Sequence, residues 1–383
     1  MSYIYIEEAS QANPLAEELR GLDRLALDCE AAGFHRYSDR LCLVQLTTPT
    51  QTYVIDPLGF DPTDLLRAPL EDPDVEIVMH GADFDLRLLN RDLNIRLAGL
   101  FDTQVAASLL GASQLGLAAL LETHFDVKLS KKYQRADWAE RPLTGGMLDY
   151  AASDTRYLTG LADILTAELD KVGRSAWAEE ECRALETNAL APPVEPDEDP
   201  DPVLRVKRAR DLNARHITAL REALQWRDAI AQRRDRAAFR VVGDPPLLEA
   251  VAQFPRDTAQ LADIKGFPGA LARTEGKELL KRLHAVSQMP EEELRGYPKN
   301  RNRGPGRPPP EVEAVADRLK AARNQRADEL GLDRGTLMAN GVITAIAVAA
   351  PSDAEALAGV EGVRRWQIEA VGSELLAALS AKP

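Results

Sequence analysis

The stretch LALDCEA, residues 25–31, sets two carboxylates, Asp28 and Glu30, into an otherwise apolar run. On a β-strand, residues two apart leave the same face, so both acids point one way. Acids rarely occupy such a run unless a cation meets them. Two further stretches repeat the pattern. VMHGADFDLRLL, residues 78–89, carries Asp85 just after a strand-like segment. LDYAASDTRYL, residues 148–158, spaces Tyr150 and Asp154 four apart, which on a helix is again one face. Brought together, these groups form an oxygen-rich site suited to two Mg²⁺ or Mn²⁺ ions. Two such ions about 4 Å apart clamp the attacking and leaving oxygens of an in-line phosphoryl displacement. The competing reading makes Asp85 a first-turn helix acid and Tyr150 a core aromatic.

The three stretches, in this order, decide between the two. Asp28-x-Glu30 is followed by RLCLVQL, HGADFDLRLL by FDTQVA, and the last motif is Tyr150-x-x-x-Asp154. This resembles the DEDD family of 3′–5′ exonucleases, in its tyrosine subclass, and, taken with the helical C-terminal half described below, its ribonuclease D branch. Cys29 departs from the threonine more often found there, on a side chain expected to face away from the metals. The resemblance implies a metal-dependent 3′–5′ exoribonuclease that releases nucleoside 5′-monophosphates. Asp28, Glu30, Asp85 and Asp154 would hold two divalent ions, and Tyr150 would orient the attacking water. The implied substrate is structured RNA with a free 3′ end, such as a tRNA precursor. A DNA exonuclease of the same fold, or a nucleic-acid-binding protein without activity, are the alternatives.

Other residues near the motifs are weaker candidates. His35 and Tyr37 follow the first motif and are placed to touch the terminal nucleotide. KKYQRADWAERPL, residues 131–143, is the densest basic patch of the first half, and Lys131, Lys132, Arg135 and Arg141 are candidate phosphate contacts. Asp102 reads as a helix N-cap or a support for a ligand, and His80 as structural.

Composition sets the frame. The 383 residues suffice for two or three domains. Three cysteines are too few for a disulfide framework or a zinc cluster. No phosphate-binding G-x-x-x-x-G-K-[ST] loop, G-x-S-x-G elbow or H-E-x-x-H motif is present. The start of the chain lacks a signal-peptide pattern, and GVITAIAVAA is too short to span a bilayer, so a cytoplasmic protein is expected. The net charge of −14 is unevenly spread. Residues 1–190 carry −15 and residues 203–288 carry +7, so the second segment is the expected grip on nucleic acid.

Residues 1–190 alternate strand and helix patterns, predicting a mixed sheet covered by helices. YIYI, LALDC, LCLVQL and TYVID read as an antiparallel meander, VEIVMH as a further strand, and the rest mainly as helices. The family resemblance implies a ribonuclease H-like α/β fold for this exonuclease domain. An acidic, proline-rich linker is expected over 191–210 and a second linker over 291–310. Between and after them, 211–290 and 311–383 read as one helical unit used twice, at a constant offset of 96 residues. Both resemble the helicase-and-RNase-D C-terminal (HRDC) domain, a small all-α bundle that assists nucleic-acid binding. LADIKGFPG and LAGVEGVRR occupy equivalent places, where a glycine turn can offer N–H groups to a phosphate. In the second copy Gly359 and Glu361 replace Asp263 and Lys265, a drift that leaves packing against neighbours as its expected role.

Overall fold

A computed structural model describes residues 3–190, 201–298 and 309–380. Six strands form one mixed sheet: β1 (Ile4–Ile6), β2 (Arg24–Ala31), β3 (Leu41–Thr47), β4 (Thr52–Ile55), β5 (Glu76–Met79) and β6 (Leu100–Asp102), in the order β1-β4-β3-β2-β5-β6. β2, β3 and β4 are the expected meander. β1 is not part of it, since it pairs parallel with β4. The strand β6 was not foreseen. It is three residues long, too short to show a period, and its pairing with β5 defines it.

Side-chain alternation along β2 splits the sheet into two faces. Leu25, Leu27 and Cys29 join the core beneath the helices Thr63–Glu71, Asp83–Leu93 and Ser175–Leu190. Asp28 and Glu30 leave the opposite face, towards the helix Gly145–Thr155. That helix packs on β3 and β4 through Met147, Ala151 and Ala152 against Leu43 and Val54. Thr155 Oγ1 lies 2.7 Å from Thr47 Oγ1 of β3, which pins the last turn.

The two C-terminal bundles repeat each other element by element. The helix Ala238–Val241 corresponds to Arg334–Leu337 and Asp244–Gln253 to Asn340–Ala349, at the 96-residue offset. Asp257 and Asp353 cap equivalent helices, and Gly266 and Gly362 share a φ of +85°. Left-handed backbone of this kind favours glycine, which explains its retention in both copies.

The expected linker bounds need correction at their inner edges. Residues 191–200 and 299–308 lie outside the described residues. Val203, Val206 and Ala209, placed in the first linker by composition, are buried in the core of the first bundle. The segment 291–298 also lies against that bundle, where Arg221 donates to Arg295 O and Gly296 O. Sparse apolar residues between charges hid both attachments.

The second bundle shares one continuous core with the exonuclease domain. Leu109, Leu121 and Leu165 lie in the same cluster as Leu319, Ile346 and Trp366. Trp177 stacks on Trp366 with centroids 4.7 Å apart. Arg174 donates to Leu109 O on one side and Leu330 O on the other. Gly111 comes so near that a Cβ there would sit 2.1 Å from Gly331 O. No helix of the described residues is long and apolar enough to cross a membrane.

Candidate active site

β5 pairs with β2 only from Arg24 to Ala26, so the half of β2 bearing Asp28 and Glu30 runs past it. The helix Asp83–Leu93 enters beside this free half. Its first turn is set by Asp102, whose carboxylate accepts from Gly81 N at 2.9 Å and Ala82 N at 2.8 Å. The same side chain caps the helix Thr103–Leu109 through Gln104 N. Asp102 therefore aims the element that carries Asp85, without being part of the acidic cluster itself. The choice between the two acids of HGADFD is also plain. Asp83 is exposed and paired with Arg87, whereas Asp85 is buried.

From the other side, the helix Gly145–Thr155 presents Tyr150 and Asp154 one turn apart, with its start capped by Thr144. Carboxylate oxygens of Asp28, Glu30 and Asp154 all lie within 4.8 Å of one another. Asp85 stands just outside this tight group, close enough for its charge to act on Glu30 and to feel Asp28.

Burial dominates the electrostatics. It pushes Asp28 up to about 7. Burial and then the Asp28 charge push Asp154 up to about 8. Burial followed by Asp28, Asp154 and Asp85 pushes Glu30 up to about 10. Burial, followed by the charges of Asp28 and Asp102, raises Asp85 as well. Among the described residues no lysine or arginine forms an ion pair with any of the four. Four crowded carboxylates without a counter-cation are what a divalent ion would relieve, and an all-oxygen donor set suits a hard ion. The Tyr150 ring packs between Trp138 and Tyr133, and burial, then Asp154, raises its hydroxyl pKa. It stays protonated beside the acids, able to donate or accept a hydrogen bond.

Asp28, Glu30, Tyr150 and Asp154 line a cleft of about 400 Å³. Leu117 and Leu158 form an apolar wall, and Lys131 and Gln134 stand on the rim. His80 also borders it, with Nδ1 2.9 Å from Thr103 Oγ1, a bond that fixes the ring. One residue escaped the sequence reading. Gln45 sits directly across from Asp28 on β3, fully buried, with both amide atoms lacking a protein partner. The signal was an amide inside the apolar run LCLVQLT.

The weaker candidates divide. Lys131 is at the cleft, and Lys132 lies over the Tyr133 ring. Arg141 is committed to the fold. It makes a two-pronged bond to Asp56 and donates to Cys42 O and Trp138 O, anchoring its loop to the sheet. His35 and Tyr37 face the first bundle rather than the acids. Tyr37 donates to Asp228, and His35 Nε2 lies 2.8 Å from Arg135 O and 3.2 Å from Arg240. Arg135 itself stacks over Phe34.

Comparison with known proteins is consistent with this site. A 3′–5′ exonuclease family model matches residues 3–170, and the HRDC domain model matches twice, at 217–283 and 312–379. Ribonuclease D of Gluconacetobacter diazotrophicus is 31% identical over 83% of this chain and 80% of its own length. The exosome complex component 10 homolog of Drosophila melanogaster is 31% identical over 66% of this chain, which spans only 28% of that longer protein. In three dimensions the chain matches Escherichia coli RNase D, described as an exoribonuclease involved in structured RNA processing. The TM-score is 0.67 at 26% identity, over the full length of both chains. The chain belongs to the ribonuclease D family of divalent-metal-dependent 3′–5′ exoribonucleases.

Proposed function

We propose that this protein removes nucleotides one at a time from the 3′ end of structured RNA, with tRNA precursors as the expected natural class, in the cytoplasm. The convergence of Asp28, Glu30 and Asp154, with Asp85 beside them, carries the reading. These four residues hold two divalent ions, Mg²⁺ or Mn²⁺. When bound, the ions supply the positive charge that an in-line displacement at phosphorus needs.

The chain's own groups do the rest. Tyr150, held neutral, orients the attacking water through its hydroxyl. The water gives up a proton to solvent as its oxygen bonds to the terminal phosphorus, the bond from phosphorus to the upstream 3′ oxygen breaks, and that oxygen takes up a proton from solvent. A nucleoside 5′-monophosphate leaves. The apolar wall of Leu117 and Leu158 keeps bulk water from one side of the cleft. Lys131 at the rim is placed to meet a phosphate of the incoming strand.

Matched RNA and DNA strands, each 5′-labelled, test the proposal with Mg²⁺, Mn²⁺ or chelator. A ladder shortening from the 3′ end of RNA, abolished by chelator, is expected. Preferential degradation of DNA would overturn the substrate assignment.

A further inference from the structure

Outside the acidic cleft, one patch combines exposed aromatic rings with unneutralised cations. Phe34, just after β2, is 40% exposed, and Phe239 of the first bundle is 52% exposed. Their ring centroids lie 5.5 Å apart across the junction of the two units. The Arg240 guanidinium lies over both rings, 4.6 Å from Phe34 and 5.9 Å from Phe239. Arg135 lies over Phe34 at 5.6 Å. Arg240 is held by a bond from Nε to Phe34 O, and Ala237 N donates to His35 O beside it. The nearby acids are committed elsewhere: Asp137 and Asp235 to Arg36, and Asp228 to Tyr37. Among the described residues neither Arg135 nor Arg240 pairs with a carboxylate, so both charges are left for an anion.

We propose that Phe34 and Phe239, with Arg135 and Arg240 stacked on them, form a second RNA-binding site, a platform for unpaired bases just upstream of the 3′ end. The inference rests on the RNA-degrading function proposed above. Aromatic and guanidinium planes stack on any base, and the free charges meet the phosphates between them. The position fits the route of the strand. Phe34 lies four positions after Glu30, so their Cα atoms are at most about 14 Å apart. Arg135 lies one residue from Gln134 and four from Lys131, both on the cleft rim. The platform spans both units, so it also explains how the first bundle contributes to grip beyond its net charge.

Binding measured on the full chain in chelator, where no cleavage occurs, isolates this site from activity. The probes are an oligoadenylate of about a dozen nucleotides and a strand of equal length whose upstream positions are abasic. Replacing both rings, Phe34→Leu with Phe239→Leu, keeps apolar contact at the junction but removes the stacking faces. Affinity for the oligoadenylate should fall roughly tenfold or more, with no change for the abasic strand or in the thermal unfolding midpoint. Phe34→Tyr with Phe239→Tyr should restore binding. Unchanged oligoadenylate affinity in the leucine pair would overturn the platform, as would an equal loss on the abasic strand or failure of the tyrosine pair to rescue. A wild-type chain that bound the strand with this pattern but never cut it would overturn the proposed activity and leave the platform standing.

Discussion

Tyr150 differs from its acidic neighbours in what its loss should do. Its hydroxyl positions a water and need not ligate an ion, so Tyr150→Phe should slow single-turnover hydrolysis by about 10²–10⁴-fold. Metal affinity by calorimetry should be unchanged, and a parallel loss of affinity would make the tyrosine a ligand. The acids also predict a pH dependence. Asp28, Asp154 and Glu30 are raised to about 7, 8 and 10. The folded, metal-free protein therefore binds more protons than the unfolded chain above about pH 4. Stability is then full below the ordinary carboxylate range and lost as pH rises through about 7 to 10. The unfolding midpoint in chelator should fall over that range, and Mg²⁺ or Mn²⁺ should restore it. A flat profile, or equal slopes for wild type and Asp28→Asn, would contradict the cluster. Asp28, Glu30, Asp85, Tyr150 and Asp154 were legible because strand and helix periods fix their faces and the motif order fixes their assembly. Arg141, His35 and Tyr37 were not. Their partners Asp56, Arg240 and Asp228 are distant in sequence, and a basic or aromatic side chain near a motif looks the same whether it meets RNA or its own fold.

Among the elements, the repeat was the most readable, because turn glycines, capping aspartates and buried leucines recur at one offset. The short strand β6 and the parallel docking of β1 depend on tertiary pairing and left no pattern. The two copies of the glycine turn have diverged in use. After Gly362, the N–H groups of Arg365 and Trp366 donate to the Glu180 carboxylate, at 2.7 and 3.0 Å. An acid of the exonuclease domain thus occupies, in the second copy, the turn whose counterpart in the first copy is open to a phosphate. The first copy retains Lys265 beside Gly266, both without such an occupant among the described residues. Lys265→Ala should lower the salt slope of RNA binding by roughly one phosphate contact, while Glu361→Ala should leave it unchanged. Equal slopes in Lys265→Ala and wild type would remove the turn from the interface.

The molecule as a whole is less modular than its composition suggests. Charge and proline content divide the chain into a catalytic half and helical additions, but the second bundle completes the exonuclease core. Charge counting did not reveal this, since the contact is made by apolar residues and by Trp177 against Trp366. Trp366 is almost fully buried, and Trp366→Ala should cost about 3–5 kcal/mol in denaturant unfolding. Deleting 309–380 should destabilise residues 1–190 and expose apolar surface, readable as dye binding. An unchanged unfolding midpoint would show the shared core to be dispensable. Upstream of all this stands the identity of the acidic cluster as the seat of hydrolysis. The most direct measurement compares wild type with Asp85→Asn on one 5′-labelled RNA, following cleavage with Mg²⁺ or Mn²⁺ and binding in chelator. The amide keeps the shape of the side chain and removes the charge that an ion requires. Cleavage by the variant should be lost while RNA affinity is retained. Near-normal cleavage by a folded Asp85→Asn protein would contradict the assignment.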